Sequence, residues 1–364
     1  MRVLTLSPDG RELLAPDSAL RRRFVQYGEL VERFDVVYSD TAERVTPLSD
    51  RVTLFGVPSP TKVSYFFRII FHVLRLQKKA CYDVLSTPDP YFLGGLAWVL
   101  GAFLNIGVEL QIHGFEKWRG VRPWLARVNL RRATHIRAVS KRLANQLIAS
   151  FGIPAARIAV FPIFVDPTHF LPLAERRGTE AHTPFTFVTV SRLVPVKRIE
   201  LQLQALAQIL KQHEAQLLIV GDGPERSSLE AVAAGLRLGL AVRFCGAQAD
   251  ITPFLAEADA FLLTSAAEGY GIAPIEAACA GLPVIMTDVG CANELIQDGV
   301  HGRILPVDAP LNVLVDAMRQ LIEEPDTRQR MSADAASLAH ALPTQAETLR
   351  AYAQSWERSR RINR

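Results

Sequence analysis

Two series of short apolar runs alternating with helical patterns constrain this chain more than any other feature of its sequence. Each run ends in a polar or glycine-containing turn, and a stretch with apolar residues three and four positions apart follows it. Such alternation predicts parallel sheets covered by helices, and two series predict two doubly wound, Rossmann-like α/β domains. The expected strands are Val3–Ser7, Val36–Tyr38, Val84–Ser86, Val108–Ile112, Ile136–Val139, Phe185–Val190, Gln216–Val220, Val242–Phe244, Ala260–Leu263 and Pro283–Met286.

The seam between the two series lies in Phe161–Pro184, where four prolines and an unpatterned polar stretch interrupt the pattern. A length of 364 residues also suits two domains better than one. We therefore predict an N-terminal domain over residues 1–170 and a C-terminal domain over residues 171–343. Residues 344–364 are predicted to form a C-terminal helix that can pack back onto the first domain.

The two halves of the chain also differ in net charge. Residues 1–167 carry a net charge of +9 and the remaining residues a net charge of −5. Hydrophobic residues make up 49% of the chain and charged residues 21%, which excludes a disordered protein. The four cysteines are scattered and form no Cys-x-x-Cys pair, which argues against a disulfide scaffold or a zinc site. With no signal-peptide pattern at the start, we expect a cytoplasmic protein.

The segment Thr264–Met286 carries the strongest indication of a binding site. Its expected strand is followed by a glycine-containing turn and then by a helix whose first turn contains Pro274. Backbone N–H groups at this helix N-terminus are expected to bind phosphate oxygens. Glu268 lies just before the predicted anion site and Glu276 lies within the helix, so the segment suits a ligand with both phosphates and hydroxyls.

Two segments upstream point to the same ligand chemistry. The strand Phe185–Val190 leads into a loop with Arg192 and Lys197, and a guanidinium and an ammonium group both bind phosphate. The next strand ends in a turn whose glycines permit a close backbone approach to a ligand. That turn is Gly221-Asp222-Gly223.

Taken in order, these segments resemble family 4 of the retaining glycosyltransferases, which have the GT-B fold of two facing Rossmann-like domains. The resemblance covers nearly the whole chain and rests on SRLVPVKR, GDGP, the Glu-x7-Glu block and Asp298-Gly299-x-x-Gly302. It implies transfer of a sugar from a nucleoside diphosphate sugar to an acceptor hydroxyl, with retention at the anomeric carbon.

The resemblance also implies a role for each matching residue. Arg192 and Lys197 match the basic pair that neutralises the donor diphosphate, and Glu276 matches the glutamate that binds the ribose hydroxyls. Glu268 matches the glutamate placed beside the donor sugar, where it helps to stabilise the transition state. The loop whose backbone approaches sugar and phosphate is matched by Gly269, Tyr270, Gly271 and Ile272.

In the first domain, His113 ends an expected strand and resembles the family's histidine that faces the donor sugar across the cleft. We therefore predict His113 and Glu268 as the catalytic residues. The family has a glycine-rich loop after its first strand, whereas this chain has only Pro8-Asp9-Gly10-Arg11. Gly10 and Arg11 are accordingly weak candidates for the acceptor side.

No Asp-x-Asp pair and no cluster with metal-ligand spacing occurs, so we expect no metal and no cofactor. Three alternative functions share parts of this pattern. A Rossmann dehydrogenase lacks its Gly-x-Gly-x-x-Gly motif here. A GT-B sugar-phosphate synthase or phosphorylase and a non-catalytic protein that binds sugar nucleotides both stay open.

The basic surface of the first domain predicts contact with an anionic membrane and a lipid-linked acceptor, with a polar saccharide as the alternative acceptor. Residues 62–79 carry five Lys/Arg and no acid among many aromatic and aliphatic residues, and residues 117–142 carry nine Lys/Arg and no acid. Basic residues among aromatics favour an anionic lipid interface. Residues 91–108 carry no charge, but glycines interrupt them and argue against a membrane span. No nucleic-acid recognition module is present, so we expect no nucleic-acid partner.

Overall fold

The structure, a computed structural model, describes residues 1–8, 10–15, 18–114, 120–178 and 181–361. The chain divides into two compact units. The first unit comprises Met1–Pro162 with Thr344–Arg364, and the second comprises Ile163–Pro343. Residue 170, the expected boundary, lies inside the second unit, because α7 (Leu171–Arg176) and the turn Pro167–His169 before it pack against each other and α7 packs on helices of that unit.

The first unit contains a sheet with the strand order β3-β4-β2-β1-β5-β6-β7-β8. Its neighbouring strands are parallel except β3 and β4, which are antiparallel at one edge. The strands are β1 (Arg2–Ser7), β2 (Arg33–Asp40), β3 (Arg44–Ser49), β4 (Val52–Pro58), β5 (Val84–Thr87), β6 (Gly107–Ile112), β7 (His135–Ala138) and β8 (Ile158–Val160). The helices are α1 (Arg11–Leu14), α2 (Ala19–Glu29), α3 (Lys62–Ala80), α4 (Phe92–Leu104), α5 (Arg122–Arg132), α6 (Lys141–Phe151) and, from the end of the chain, α14 (Gln345–Ser359).

The second unit contains a wholly parallel sheet with the strand order β11-β10-β9-β12-β13-β14. Its strands are β9 (Phe185–Val190), β10 (Ala215–Val220), β11 (Val242–Gly246), β12 (Ala260–Leu263), β13 (Val284–Thr287) and β14 (Gly302–Leu305). Besides α7, its helices are α8 (Ile199–Ile209), α9 (Arg226–Gly235), α10 (Thr252–Ala256), α11 (Ile272–Cys279), α12 (Leu311–Glu323) and α13 (Pro325–Ala341). The prediction of two α/β units with parallel sheets is confirmed.

Local sequence accounts for many of these boundaries. Helix α6 begins after the N-cap Ser140, whose hydroxyl accepts a hydrogen bond from the backbone N–H of Leu143, and it ends at Gly152 with φ of 65°. Helix α14 begins with a reciprocal capping box between Thr344 and Glu347. Sequence reasoning missed β3, β4, β8 and β14.

Helix α14 completes the core of the first unit. Tyr352 and Trp356 are buried against Tyr27 and Phe34, with ring centroids 4.4 to 5.5 Å apart. Trp356 Nε1 also donates a hydrogen bond of 3.1 Å to the buried carboxylate of Glu109 on β6, and Ser355 donates another. Aromatic burial and a satisfied internal acid therefore both depend on this helix.

The apolar residues of α3 belong to the segment 62–79 that was expected to contact a membrane, but they fall into a buried set and an exposed set. Tyr65, Ile69, Val73 and Leu76 are buried in the first unit, so these residues are core. Exposed apolar side chains instead follow one stripe of the helix, at Val63, Phe67 and Phe71. Within the described part of the chain, no helix combines the length and apolarity needed to cross a bilayer.

Candidate active site

In the second unit, the loops after β9 and β12 meet at one edge of the sheet. The two strands are neighbours, and the carboxyl ends of parallel strands share an edge. The backbone N–H of Ala266 donates to the carbonyl of Val196 at 2.7 Å, and the Thr264 hydroxyl donates to the carbonyl of Lys197 at 2.9 Å. The basic and acidic segments that the sequence singled out are thus in direct contact.

Lys197 and Glu268 form an ion pair within this contact. The distance from Lys197 Nζ to Glu268 Oε1 is 2.5 Å, and the two side chains are only 12% and 8% exposed. The Ser265 hydroxyl donates to the same carboxylate oxygen at 2.7 Å. Sequence reasoning gave the two residues separate roles and missed both their pairing and Ser265.

Arg198 holds the two loops together, a role that the sequence did not indicate. Its guanidinium donates hydrogen bonds to the carbonyls of Thr264 at 2.7 Å, Val307 at 2.7 Å and Ser265 at 3.3 Å. Arg192, in contrast, is exposed at the start of the loop. Arg192 is therefore the most exposed of the three cationic residues in this segment.

The turn Gly221-Asp222-Gly223 packs against the same loop. A Cβ atom at Gly221 would lie 1.8 Å from the carbonyl oxygen of Ser191, and one at Gly223 would lie 2.3 Å from that of Leu193. Asp222 accepts a hydrogen bond from the Gly223 N–H at 2.7 Å and lies 3.5 Å from Arg226 on α9. Both glycines are thus required because the backbone of the preceding loop packs closely against this turn. Ligand contact at the turn stays a prediction.

The N-terminus of α11 is built as an anion site requires. Its N-cap residue Gly271 has φ of 84° and no side chain that could cap the helix, and Pro274 has no N–H to offer. The N–H groups of Ile272 and Ala273 therefore point out of the first turn without an intrahelical acceptor. These groups, with the helix dipole, favour negative charge.

The loop after β13 supports this N-terminus from behind. Tyr270 is buried, and its carbonyl accepts a hydrogen bond of 2.7 Å from the backbone N–H of Cys291. Gly290 has φ of 57°, and a Cβ atom there would lie 2.3 Å from the Tyr270 oxygen. Sequence reasoning missed Gly290, although a glycine so soon after a strand is a signal that could have found it.

Glu276 lies in the second turn of α11, half-buried, and its carboxylate makes no hydrogen bond within the residues that the structure describes. Burial raises the pKa of Glu276 from its ordinary value of 4.5 to about 7. An acid in such a place gains most from a ligand that donates hydroxyl hydrogens to it.

His113 lies in the first unit, directly after β6. The residue is exposed as a whole, but its Nε2 atom is 3.3 Å from Nη2 of the buried Arg137. The protein atoms around the ring displace water, and this burial, together with the positive charges of Arg137 and Arg23, lowers the pKa of His113 to about 3. His113 is therefore neutral at physiological pH.

Of the two acceptor-side candidates, Gly10 has a packing role in the fold. A Cβ atom at Gly10 would lie 1.9 Å from the Tyr38 ring, so glycine is required at this position by the fold. Asp9 and the side chain of Arg11 lie outside the described residues. In the ranges that the structure covers, no group of three or more His, Cys, Asp or Glu side chains could hold a metal ion.

Comparisons with known proteins agree with these features. Two family models match the chain, that of glycosyltransferase family 4 over residues 29–169 and that of the group 1 glycosyl transferases over residues 174–337. The chain is 35% identical over 137 residues to the N-acetyl-alpha-D-glucosaminyl L-malate synthase of Bacillus anthracis, which is 38% of this chain and 36% of that protein. It is 30% identical over 254 residues to a GDP-mannose-dependent alpha-(1-6)-phosphatidylinositol monomannoside mannosyltransferase of Mycolicibacterium smegmatis, which is 64% of each protein.

The chain thus spans about a third of one curated relative and just under two thirds of the other. The fold is similar along nearly its whole length to that of HepE from Anabaena, solved with UDP and glucose, with a TM-score of 0.75, 20% identity and coverage of 98% of this chain and 99% of HepE. Because the two family models occupy successive parts of the chain and match one α/β unit each, the protein belongs to the group 1, family 4 glycosyltransferases of the GT-B fold.

Proposed function

We propose that this protein transfers a sugar from a nucleoside diphosphate sugar to an acceptor hydroxyl, retaining the anomeric configuration and using no metal ion. The observation that carries the proposal is the set of side chains and N–H groups that meet at one edge of the second sheet. There Lys197 contacts Glu268, and the N-terminus of α11 and Glu276 follow Glu268 closely in the sequence, so that cationic, N–H and hydroxyl-binding groups are combined. HepE, which has the same fold, was solved with UDP and glucose.

In the proposed reaction, the bond between the anomeric carbon and the donor phosphate breaks while the acceptor oxygen attacks from the same face. The departing phosphate oxygen takes the acceptor proton. Lys197, Arg192 and the α11 N-terminus stabilise the negative charge that develops on the diphosphate, and this electrostatic stabilisation is the main contribution to catalysis. A double displacement needs a nucleophilic carboxylate. Because Glu268 is held by Lys197 and Ser265, we favour front-face attack.

We further propose that the acceptor is carried by an anionic lipid membrane on its cytoplasmic side. Helix α4 packs against both α3 and α5, and all three expose large apolar side chains, which we call the aromatic surface. Its members are Val63, Phe67, Phe71, Phe92, Val99, Phe103, Val121 and Trp124. Phe103 is 78% exposed and Trp124 is 66% exposed, which is unusual for residues of this size.

Basic residues surround the aromatic surface on the same helices. Arg68, Arg75, Lys78 and Lys79 on α3 are exposed, and α5 ends with the exposed Arg131 and Arg132. Arg137, counted with this basic segment in the sequence, is buried and takes no part, and Trp118 lies outside the described residues. Exposed aromatics bordered by cations suit an anionic bilayer. The relative from Mycolicibacterium is named for a phosphatidylinositol monomannoside, which is a lipid. Salt-sensitive binding to anionic vesicles is the result that this proposal requires.

The test of the donor assignment is a panel of UDP- and GDP-sugars, scored by thermal stabilisation and by release of the nucleoside diphosphate. A bound donor at 100 times its dissociation constant should add about 2.7 kcal/mol of stability. Arg192→Ala should weaken donor binding by roughly 10- to 150-fold, because a charge-assisted phosphate contact contributes about 1.5–3 kcal/mol.

Arg319→Ala serves as the matched control, since Arg319 is a half-buried arginine of the same unit that pairs with Asp316 on α12. It should leave donor affinity unchanged. If no donor stabilises the wild-type protein, or if Arg192→Ala binds every donor as well as wild type, the proposal is wrong. Binding without donor turnover would instead favour the non-catalytic alternative, and turnover with inorganic phosphate as acceptor would favour a phosphorylase. A sugar-phosphate synthase would show itself by using a phosphorylated sugar as acceptor.

A further inference from the structure

Arg137 on β7 is buried, and no acidic side chain in the described part of the chain forms an ion pair with its guanidinium. It is 2% exposed, and its Nε and Nη1 atoms have no hydrogen-bond partner within the described residues. The guanidinium carbon lies 4.4 Å from the centre of the Tyr352 ring and 5.1 Å from that of the Phe161 ring. Two aromatic rings thus provide the favourable electrostatic environment that water or a carboxylate would otherwise supply.

The polar contact of this guanidinium identifies its role. Arg137 Nη2 lies 3.3 Å from His113 Nε2. An arginine side chain has five N–H donors and no acceptor, so the imidazole nitrogen that faces it must be the acceptor. An imidazole that accepts at Nε2 carries its single proton on Nδ1 and is neutral.

We propose that Arg137 is a positioning residue that fixes His113 as the neutral Nδ1–H tautomer, so that His113 offers a ligand a hydrogen-bond donor and not a base. The proposal rests on the transferase function proposed above only for the identity of that ligand, which is an oxygen atom of the donor sugar or of the acceptor. The residues that fix the tautomer all belong to the first unit.

The surroundings of His113 support the same protonation state. The positively charged groups that act on its ring are Arg137 from β7 and Arg23 from α2, and both disfavour an imidazolium. Glu109 on β6, an acid buried in the same unit, accepts hydrogen bonds from Ser86, Ser355 and Trp356. No carboxylate within the described residues makes a hydrogen bond or an ion pair with His113.

One consequence for the reaction follows from this arrangement. His113 Nε2 is occupied by the guanidinium, and Nδ1 already carries a proton, so the ring has no site free to accept the proton of an acceptor hydroxyl. That proton must go elsewhere, and in the proposed reaction it goes to the departing phosphate oxygen. The Nδ1–H group is left to bind and orient a sugar or acceptor oxygen.

The primary test is a nitrogen-detected NMR titration of the imidazole groups in the intact wild-type protein, without any ligand. The chain has eight histidines, and the His113 signals are assigned by their loss in His113→Gln. We expect the shifts of an Nδ1–H tautomer that does not titrate between pH 5 and pH 8. An Nε2–H tautomer, or titration near pH 6.5, overturns the proposal whether or not the protein transfers sugar.

Variants then test the cause. Arg137→Met should raise the pH at which His113 titrates, because one of the two cations that disfavour its imidazolium is removed while the burial of the ring remains. It should lower kcat about tenfold while leaving KM for the donor within twofold, because a charge-assisted hydrogen bond is lost on the first unit alone. Arg137→Lys, which keeps a cation and a donor, should recover part of both effects. Arg328→Met removes another arginine that lies over an aromatic ring, 5.6 Å from the centre of Phe185 in the second unit, and should change neither.

If Arg137→Met does not fold, the wild-type titration and Arg137→Lys still decide the matter. An unchanged His113 titration in a folded Arg137→Met overturns the proposal. A protein in which the tautomer is as expected but no donor is turned over contradicts the proposed function and leaves the assignment of Arg137 intact.

Discussion

The two units hold buried charge in opposite ways. In the second unit, Lys197 and Glu268 touch, and each neutralises the other. In the first unit, opposite charges are accommodated separately, since Arg137 lies against two aromatic rings while Glu109 accepts hydrogen bonds from two hydroxyls and an indole. When two buried charges touch, removing one leaves the other without its partner. When each charge has its own partners, one can be removed while the contacts of the other are kept.

The largest expected effect is on the touching pair. Lys197→Met should lower the free energy of unfolding by about 3–5 kcal/mol, because it leaves the Glu268 carboxylate buried without its cation. The double variant Lys197→Met/Glu268→Gln should regain most of that loss, since no charge then lacks a partner. Chemical denaturation of the single and double variants measures this coupling.

Two further variants test the same difference between the units. Arg319→Met, in an exposed pair whose side chains are 37% and 62% accessible, should cost less than about 1 kcal/mol. Arg137→Met should cost less than Lys197→Met, because Glu109 keeps its three hydrogen bonds. If Arg137→Met destabilises the protein as much as Lys197→Met does, the distinction between the two units fails.

The expected effect of Glu276 on the free energy of unfolding is smaller than that of Lys197→Met. Burial raises the pKa of this folded-state carboxyl from 4.5 to about 7, so the folded state binds more protons than the unfolded state between those pH values. The free energy of unfolding therefore falls as pH rises through that window, by up to about 3 kcal/mol, and the full cost is present above it. Glu276→Gln removes the cost, so at pH 8 it should melt at a higher temperature than wild type, with a smaller difference at pH 5.

The same substitution should weaken nucleotide binding about tenfold, because it removes a charged acceptor for ligand hydroxyls. Stability and affinity thus change in opposite directions, and thermal melts with and without UDP or GDP measure both. A Glu276→Gln protein that melts no higher than wild type at pH 8 contradicts the assigned pKa. One that binds nucleotide as well as wild type contradicts the assigned contact.

The smallest expected effect on stability concerns the aromatic surface of the first unit. Phe67→Ser and Phe71→Ser replace side chains that are 66% and 65% exposed, so the free energy of unfolding should change by less than about 0.5 kcal/mol. Flotation with vesicles that contain anionic lipid should nevertheless fall markedly in the double variant. Val45→Ser, at a 61% exposed position on β3, is the control and should float as wild type does. Wild-type protein that does not bind anionic vesicles at low salt, or binds equally at high salt, excludes this membrane proposal.

Sequence reasoning succeeded where the signal was local. The proline in the first turn of α11 and the apolar run of β9 were both visible within a few residues, and the structure confirms them. It failed at β3, whose residues are mostly exposed and include Pro47, because an edge strand has neither a buried run nor a clean apolar alternation. The short strand β8 offers too few residues for a period to show.

The candidate site was predictable only as a set of parts. The ion pair joins residues 71 positions apart, and nothing in the sequence shows that Lys197 and Glu268 touch. The sequence counted Arg137 among the surface cations. It is buried in part by Tyr352, which lies on a helix that begins after the whole second unit. A linear pattern records which residues are cationic, but their burial depends on distant segments that pack over them.

The position of α14 has a consequence for how this protein is made. During synthesis, β1 to β8 emerge first, but the sheet face around Glu109 and Arg137 stays uncovered until Tyr352, Ser355 and Trp356 have been added. The second unit, although it is translated later, has all of its strands and helices before then and is the first to have its complete set of elements. The nascent N-terminal half must therefore wait on the ribosome with an apolar face exposed, and it is during this interval that a chaperone has the most to protect.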